Sequence, residues 1–239
     1  VANVTEIIIE KSMRLIARGL AANRLKTVPS DLENIPAQGP ALMVARHYHH
    51  LFDGLALFAA IPRPFHIVVT MDWVQNKRTK LFMEGINRLA RWPMVLRGDS
   101  LVCDTANRPS LFTARDVIRF QREAMRQCVD LLVEGRLLVI FPEGYPNIDP
   151  IYTPKTMPDE FLPFKPGFVS VARAAERRLA GKLPIVPIGL HYERGRPWIG
   201  YITFGKPIYQ DRFSTKPEMI AFIEREVRTL SGGVGSVED

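Results

Sequence analysis

The feature that most limits what this chain can fold into is an alternation of short apolar runs with longer amphipathic stretches. The runs are "ALMVA" (41–45), "HIVVT" (66–70), "PMVLR" (93–97), "LLVIF" (137–141), "IVPIGL" (185–190) and "YITFG" (201–205). Each has the length of a strand and is nearly continuous in apolar residues, the pattern of a strand covered on both faces. Helical spacing runs between them over 53–60, 78–90, 114–134, 167–180 and 216–230. The clearest of these helices opens on Thr113 as N-cap and closes before Gly135 at C′. The alternation predicts an α/β fold with a mostly parallel or mixed central sheet of about six strands flanked by helices. Six runs are too few for a closed eight-stranded barrel.

Ahead of the first run, residues 5–23 predict an amphipathic helical extension. Ile8, Ile9, Ser12, Leu15, Ile16 and Leu20 fall near helical spacing, and Lys11, Arg14 and Arg18 line the other side. Two readings fit: a helix packed on the domain, or a basic helix lying on an anionic membrane surface. Glu6, Glu10 and Lys11 interrupt the apolar run, so it does not read as a signal peptide. No apolar run approaches the ~18 residues of a membrane-spanning helix. The expected division is an N-terminal helix over 1–30 and an α/β domain over 31–239.

The net charge of +7 favours acidic partners such as phosphorylated substrates or anionic lipid surfaces. The basic residues are scattered and no nucleic-acid-binding motif is present, so no nucleic acid partner is expected. Cys103 and Cys128 are too few for a disulfide framework and read as free thiols in a reducing compartment.

In a parallel sheet, ligands sit beyond the carboxyl ends of the strands. Four chemically capable groups fall there: "RHYHHLFD" after the first run, Arg97, "PEG" after 137–141, and His191. The proline-rich stretch 142–166 lacks periodicity and is long for a connection, as functional loops often are. Of five histidines, His47, His49 and His50 stand within seven positions ending at Asp53. Three uses compete. Zinc would suit these side chains, but an H-x-H-x-D-H site starting at His47 needs an aspartate where Leu51 stands. Structural capping would engage one or two of the histidines. An acid–base pair would use a histidine to deprotonate a hydroxyl and Asp53 to hold its ring. No G-x-S-x-G nucleophile elbow is present, so the hydroxyl would belong to a substrate.

Several blocks, in order, resemble the glycerol-phosphate and lysophospholipid acyltransferase family. They are "DLENIPAQGPALMVARH", "WPMVLRGD", "VIFPEG", "FKPG", "LPIVPIGL" and "ITFGKPI", spanning about 31–208. "FPEG" within the ordered series is the specific part. Two features depart from the family pattern. Its H-x4-D motif would put a histidine at Tyr48; counting from the strand end selects His47, and counting back from Asp53 leaves His49 as competitor. "FPEGYPN" replaces F-P-E-G-T-R-S, so Tyr145 and Pro146 stand where the family has threonine and a phosphate-associated arginine.

The resemblance implies acyl transfer to a hydroxyl of a lysophospholipid or glycerol-phosphate acceptor. The donor would be a thioester, acyl-CoA or acyl-carrier protein, with no other cofactor and no metal. His47 would act as general base, Asp53 would orient it, and backbone N–H groups at the start of the next helix would face the oxyanion. Glu143 and Gly144 would contribute to acceptor binding, with Arg97 and Lys165 as cations for its phosphate. A lipid acceptor also favours the membrane-surface reading of the N-terminus, hence a peripheral place on the cytoplasmic face of a membrane.

Overall fold

The computed structural model describes residues 4–98, 111–157 and 159–232. Its helices are α1 (Val4–Ala21), α2 (Phe52–Ala60), α3 (Lys77–Leu89), α4 (Ala114–Val133), α5 (Gly167–Glu176) and α6 (Lys216–Ser231). Its strands are β1 (Leu25–Ser30), β2 (Ala41–Ala45), β3 (Phe65–Ile67), β4 (Val69–Thr70), β5 (Met94–Val95), β6 (Leu137–Ile140), β7 (Ile185–Glu193) and β8 (Trp198–Phe204). The main sheet has six strands in the order β1-β8-β7-β2-β6-β3; β4 and β5 form a separate pair. All main-sheet pairings are parallel except β7 with β8, so the sheet is mixed as expected.

The six strands are not the six expected. Residues 25–30 join the sheet as an edge strand, and 93–97 do not. β1, "LKTVPS", is exposed over most of its length and carries Pro29. An edge strand needs no continuous apolar run and tolerates proline, so periodicity does not reveal it. The run 66–70 divides at Val68: β3 continues the main sheet beside β6, whereas β4 leaves it to pair with β5.

Alternation along the strands separates two apolar layers. Met43, Val139, Ile188 and Ile202 face α1 and α2, while Leu42, Leu138 and Ile185 face α4, α5 and α6. A third cluster, Met71, Val74, Leu96, Phe112, Val117 and Phe120, lies by the small sheet. The helix signals act as read. The Thr113 hydroxyl accepts from Asp116 N and the Asp116 carboxylate accepts from Thr113 N, a capping box at the start of α4. Gly135, at φ 80°, turns the chain from α4 into β6.

The N-terminal helix is packed on the domain through Ala17, Ala21 and Arg14. The Arg14 guanidinium donates to the carbonyls of Phe58, Ile61 and Arg63 at 2.7–2.9 Å, closing the end of α2. Leu15, Ile16 and Leu20 stay exposed on it. Among the described residues no helix is long and apolar enough to cross a membrane. Cys128 is a buried free thiol, pushed up to about 12 by burial, and Cys103 lies outside the described residues.

Candidate active site

The site forms where β2 and β6 end, at the carboxyl edge of the parallel strands. β2 delivers His47 and α2 presents Asp53 in its first turn. His47 Nδ1 lies 2.8 Å from Asp53 Oδ2. The ring of His47, and not that of His49, therefore reaches the carboxylate. The additional residue between them is taken up by a turn that wraps Asp53: Tyr48 N donates to Oδ2 at 2.7 Å, and His49 N donates to both oxygens at 3.1 Å. The Tyr192 hydroxyl donates to Oδ1 at 2.8 Å. With Nδ1 holding the proton toward the carboxylate, Nε2 is left as the basic nitrogen. The imidazole stacks on Phe141 at 4.5 Å, and its side chain keeps 18% exposure, so it is held but reachable.

His49 caps the helix. Its Nδ1 accepts from Leu51 N at 3.2 Å and Phe52 N at 3.3 Å, and its ring stacks on Phe52 at 4.1 Å. Burial, then the neighbouring His50, pull its pKa down to about 4, which keeps the accepting nitrogen unprotonated. His50 is exposed and lies against the Ile148 carbonyl. His191 is on the opposite face of β7 from Tyr192, beside Tyr201, and so does not join the cluster. Among the described residues no three His, Cys, Asp or Glu side chains converge as metal ligands.

Two expectations change. The backbone N–H groups of residues 48–53, leading into α2, are already used: Tyr48 and His49 on Asp53, His50 on the Ile148 carbonyl, Leu51 and Phe52 on His49, and Asp53 on the His49 carbonyl. They are not available to an oxyanion. Glu143 is wholly buried and faces the protein rather than an acceptor. Its Oε1 accepts from His47 N at 2.9 Å, and its Oε2 meets Lys155 Nζ at 2.6 Å and Leu162 N at 3.0 Å. The same Lys155 Nζ donates to the His47 carbonyl at 2.9 Å and to Asn147 Oδ1 at 3.0 Å. Glu143 and Lys155 thus grip both backbone polar groups of His47.

Arg46, just before His47, is also buried, with its guanidinium 4.2 Å from the Phe161 ring and 5.0 Å from the Tyr48 ring. Burial lowers the pKa values of Arg46 and Lys155, and the Glu143 charge opposes the fall in both. Burial, then the Asp53 charge, raises the Tyr192 phenol well above its ordinary value. Two cations and two carboxylates therefore balance beneath the histidine. Nothing local marks Lys155, in a loop without periodicity. Tyr192 could have been found by continuing the β7 alternation from Ile188 and Leu190, which share its face.

The other expected residues gather on the far side of the same turn. Arg97 pairs through Nε with Asp72 and donates through a terminal nitrogen to the Gly144 carbonyl at 2.9 Å. Its guanidinium lies 3.8 Å from the centre of the Tyr145 ring, with Lys165 Nζ 5.3 Å from that ring. Gly144 has φ 78°, and a Cβ there would meet Lys165 Nζ at 3.4 Å. A left-handed residue in that space favours glycine. Tyr145, the departure from the family motif, serves as the buried platform for these two cations.

The acyltransferase family model matches residues 27–191, which include both sides of this turn. The chain belongs to the acyltransferase family. Among solved structures, this acyltransferase is similar to the 1-acyl-sn-glycerophosphate acyltransferase PlsC from Thermotoga maritima, with 18% identity and a TM-score of 0.58. The match covers 94% of this chain and 77% of that one, and it shows a shared fold. No curated protein sequence matches the chain significantly.

Proposed function

We propose that this acyltransferase moves a fatty acyl group from acyl-CoA or acyl-carrier protein to a hydroxyl of a lysophospholipid or glycerol-phosphate acceptor. The observation that carries the reading is the 2.8 Å contact between His47 Nδ1 and a buried Asp53, which leaves Nε2 as the basic nitrogen of a partly exposed side chain. His47 Nε2 takes the hydroxyl proton as the oxygen attacks the thioester carbonyl. The tetrahedral intermediate then collapses with loss of the C–S bond, and the imidazolium returns its proton to the departing thiolate. Asp53 keeps the tautomer and stabilises the imidazolium. No acyl-enzyme forms, because the attacking oxygen belongs to the acceptor.

The cations at Arg97 and Lys165 suit a phosphate on the acceptor. The likeness to a protein named for acting on 1-acyl-sn-glycerophosphate supports that class of acceptor. The exposed Leu15, Ile16 and Leu20 on α1, with Lys11 and Arg18 on the same helix, support a peripheral seat on the cytoplasmic face of a membrane.

The test is acyl transfer from acyl-CoA and from acyl-carrier protein to a panel of lysophospholipids and glycerol phosphate. It compares wild type with His47→Ala, His49→Ala and His50→Ala. His47→Ala should lower kcat by at least about 10²-fold, the low end for a general base, and His50→Ala should change it least. Full turnover by His47→Ala would overturn the mechanism. Activity that requires stoichiometric zinc would do the same.

A further inference from the structure

α3 is built with its more apolar side turned outward. Leu81, Phe82 and Leu89 are 74%, 65% and 57% exposed, and Trp73, just ahead of the helix, is 38% exposed. Leu81, Gly85 and Leu89 follow one another at four-residue spacing, and Phe82 lies beside them. The inward side holds Asn87, wholly buried and donating to Met71 Sδ at 3.4 Å, together with Met83. Folding this helix onto the domain therefore leaves its larger apolar side chains in water. Single exposed leucines need no explanation, but a continuous apolar stripe on one helix calls for a partner.

The charges around the stripe indicate which partner. α3 carries Lys77, Arg78, Lys80 and Arg88 against Glu84, a net 4 − 1 = +3. Lys77, Arg78 and Arg88 are exposed with the apolar residues. An apolar strip edged by basic side chains, with a tryptophan at one end, has the composition of a helix that lies in an anionic lipid interface. The position fits a lipid acceptor. Trp73 adjoins Asp72, Asp72 holds Arg97, and Arg97 holds the Gly144 carbonyl beside the candidate site.

We propose that α3, with Trp73, is a docking face for an anionic phospholipid bilayer, distinct from α1 and set beside the Arg97 side of the site. It rests on the acyl-transfer reading only in giving that docking a purpose. The helix would lie flat, with Leu81, Phe82 and Leu89 among the upper acyl chains and Lys77, Arg78 and Arg88 at the phosphates.

The test uses the full chain and sedimentation with vesicles of phosphatidylcholine alone or mixed with phosphatidylglycerol. Wild type should bind the mixed vesicles more tightly. Leu81→Ser/Phe82→Ser/Leu89→Ser should reduce partitioning by about tenfold or more, since burying even one such side chain is worth a factor of that order. Arg78→Gln/Arg88→Gln should remove most of the dependence on phosphatidylglycerol and on salt. Brominated lipids should quench wild-type fluorescence by more than that of Trp73→Phe. Leu15→Ser/Ile16→Ser, run alongside, reports the share held by α1.

Wild-type binding by the triple serine variant overturns the proposal, as does equal quenching with and without Trp73. So does a change from dimer to monomer in that variant with unchanged vesicle binding, which would make the face a contact between copies. Turnover of a short-chain, monomeric lyso acceptor is measured on the same samples. Vesicle binding through α3 without any turnover would refute the acyl-transfer reading and leave the docking face standing. Turnover without α3-dependent binding would do the reverse.

Discussion

Replacing Lys155 by methionine tests the buried support of His47 directly. The side chains of Lys155 and Glu143 both have 0% exposure and meet at 2.6 Å. Methionine keeps most of the length and removes the charge. Glu143 would then remain as a buried carboxylate facing the N–H groups of His47 and Leu162, without the cation it contacts and with only the more distant Arg46 charge nearby. The His47 carbonyl and Asn147 Oδ1 would each lose their donor. Removing one partner of a buried pair costs about 3–5 kcal/mol, because the other charge is left unpaired in a poorly solvated place. We expect Lys155→Met to destabilise the fold by about 4 kcal/mol, a midpoint shift near 1.3 M urea if m is about 3 kcal/mol/M. Glu143→Gln should also destabilise, but Lys155→Met/Glu143→Gln should cost about 2–3 kcal/mol less than the sum of the two, since no lone charge remains. Turnover should follow geometry: kcat falls in both single variants with KM little changed, because the pair holds the histidine backbone and does not face an acceptor. A cost below about 1 kcal/mol for Lys155→Met, together with an additive cycle, would refute the reasoning.

His49 should make the protein acid-sensitive. Its folded pKa of about 4 lies below the ordinary 6.5, so the unfolded chain binds the extra proton between these values. The stabilisation is complete above pH 6.5 and is lost as pH falls toward 4, by about 3 kcal/mol in total. Urea midpoints from pH 7 to 4 should show this slope reduced in His49→Asn, which keeps a capping oxygen without titrating. Tyr192→Phe should cost about 2 kcal/mol by removing a hydrogen bond to a charged carboxylate. It should also slow acyl transfer, less than His47→Ala does, in a steady-state assay. Gly189→Ala should destabilise by about 3 kcal/mol or more in thermal unfolding, since a Cβ there would lie 2.3 Å from the Leu230 backbone of α6 and force the helix off the sheet.

How much could be read from the residues differs between helices and pairings. Every expected helix is present, with ends within two residues of those anticipated except at α5, which stops at Glu176 instead of 180; Thr113 caps α4 and Gly135 lies beyond its end. Such ends depend on backbone groups satisfied by neighbours a few positions away, so a local signal suffices. Strand membership was less legible. The run 93–97 looks as much like a core strand as 137–141 does, yet only Met94–Val95 pair, outside the main sheet. Residues 25–30, half of them polar and most of them exposed, sit within it. Burial and partners at a sheet edge are decided by what arrives from elsewhere in the chain.

The site divides in the same way. By itself the sequence determined the α/β class, the edge of the sheet where chemistry gathers, and the residue types that meet there. Apolar runs must be buried, and the carboxyl ends of parallel strands must then lie together. Only the tertiary structure decided which histidine faces Asp53, because two registers of one short turn differ by no local preference. It alone turned Glu143 inward against Lys155, brought Tyr192 to the carboxylate from 139 positions away, and spent the N–H groups of residues 48–53 on the protein itself. Those outcomes depend on hydrogen bonds between segments distant in sequence, and their geometry exists only once the sheet has assembled.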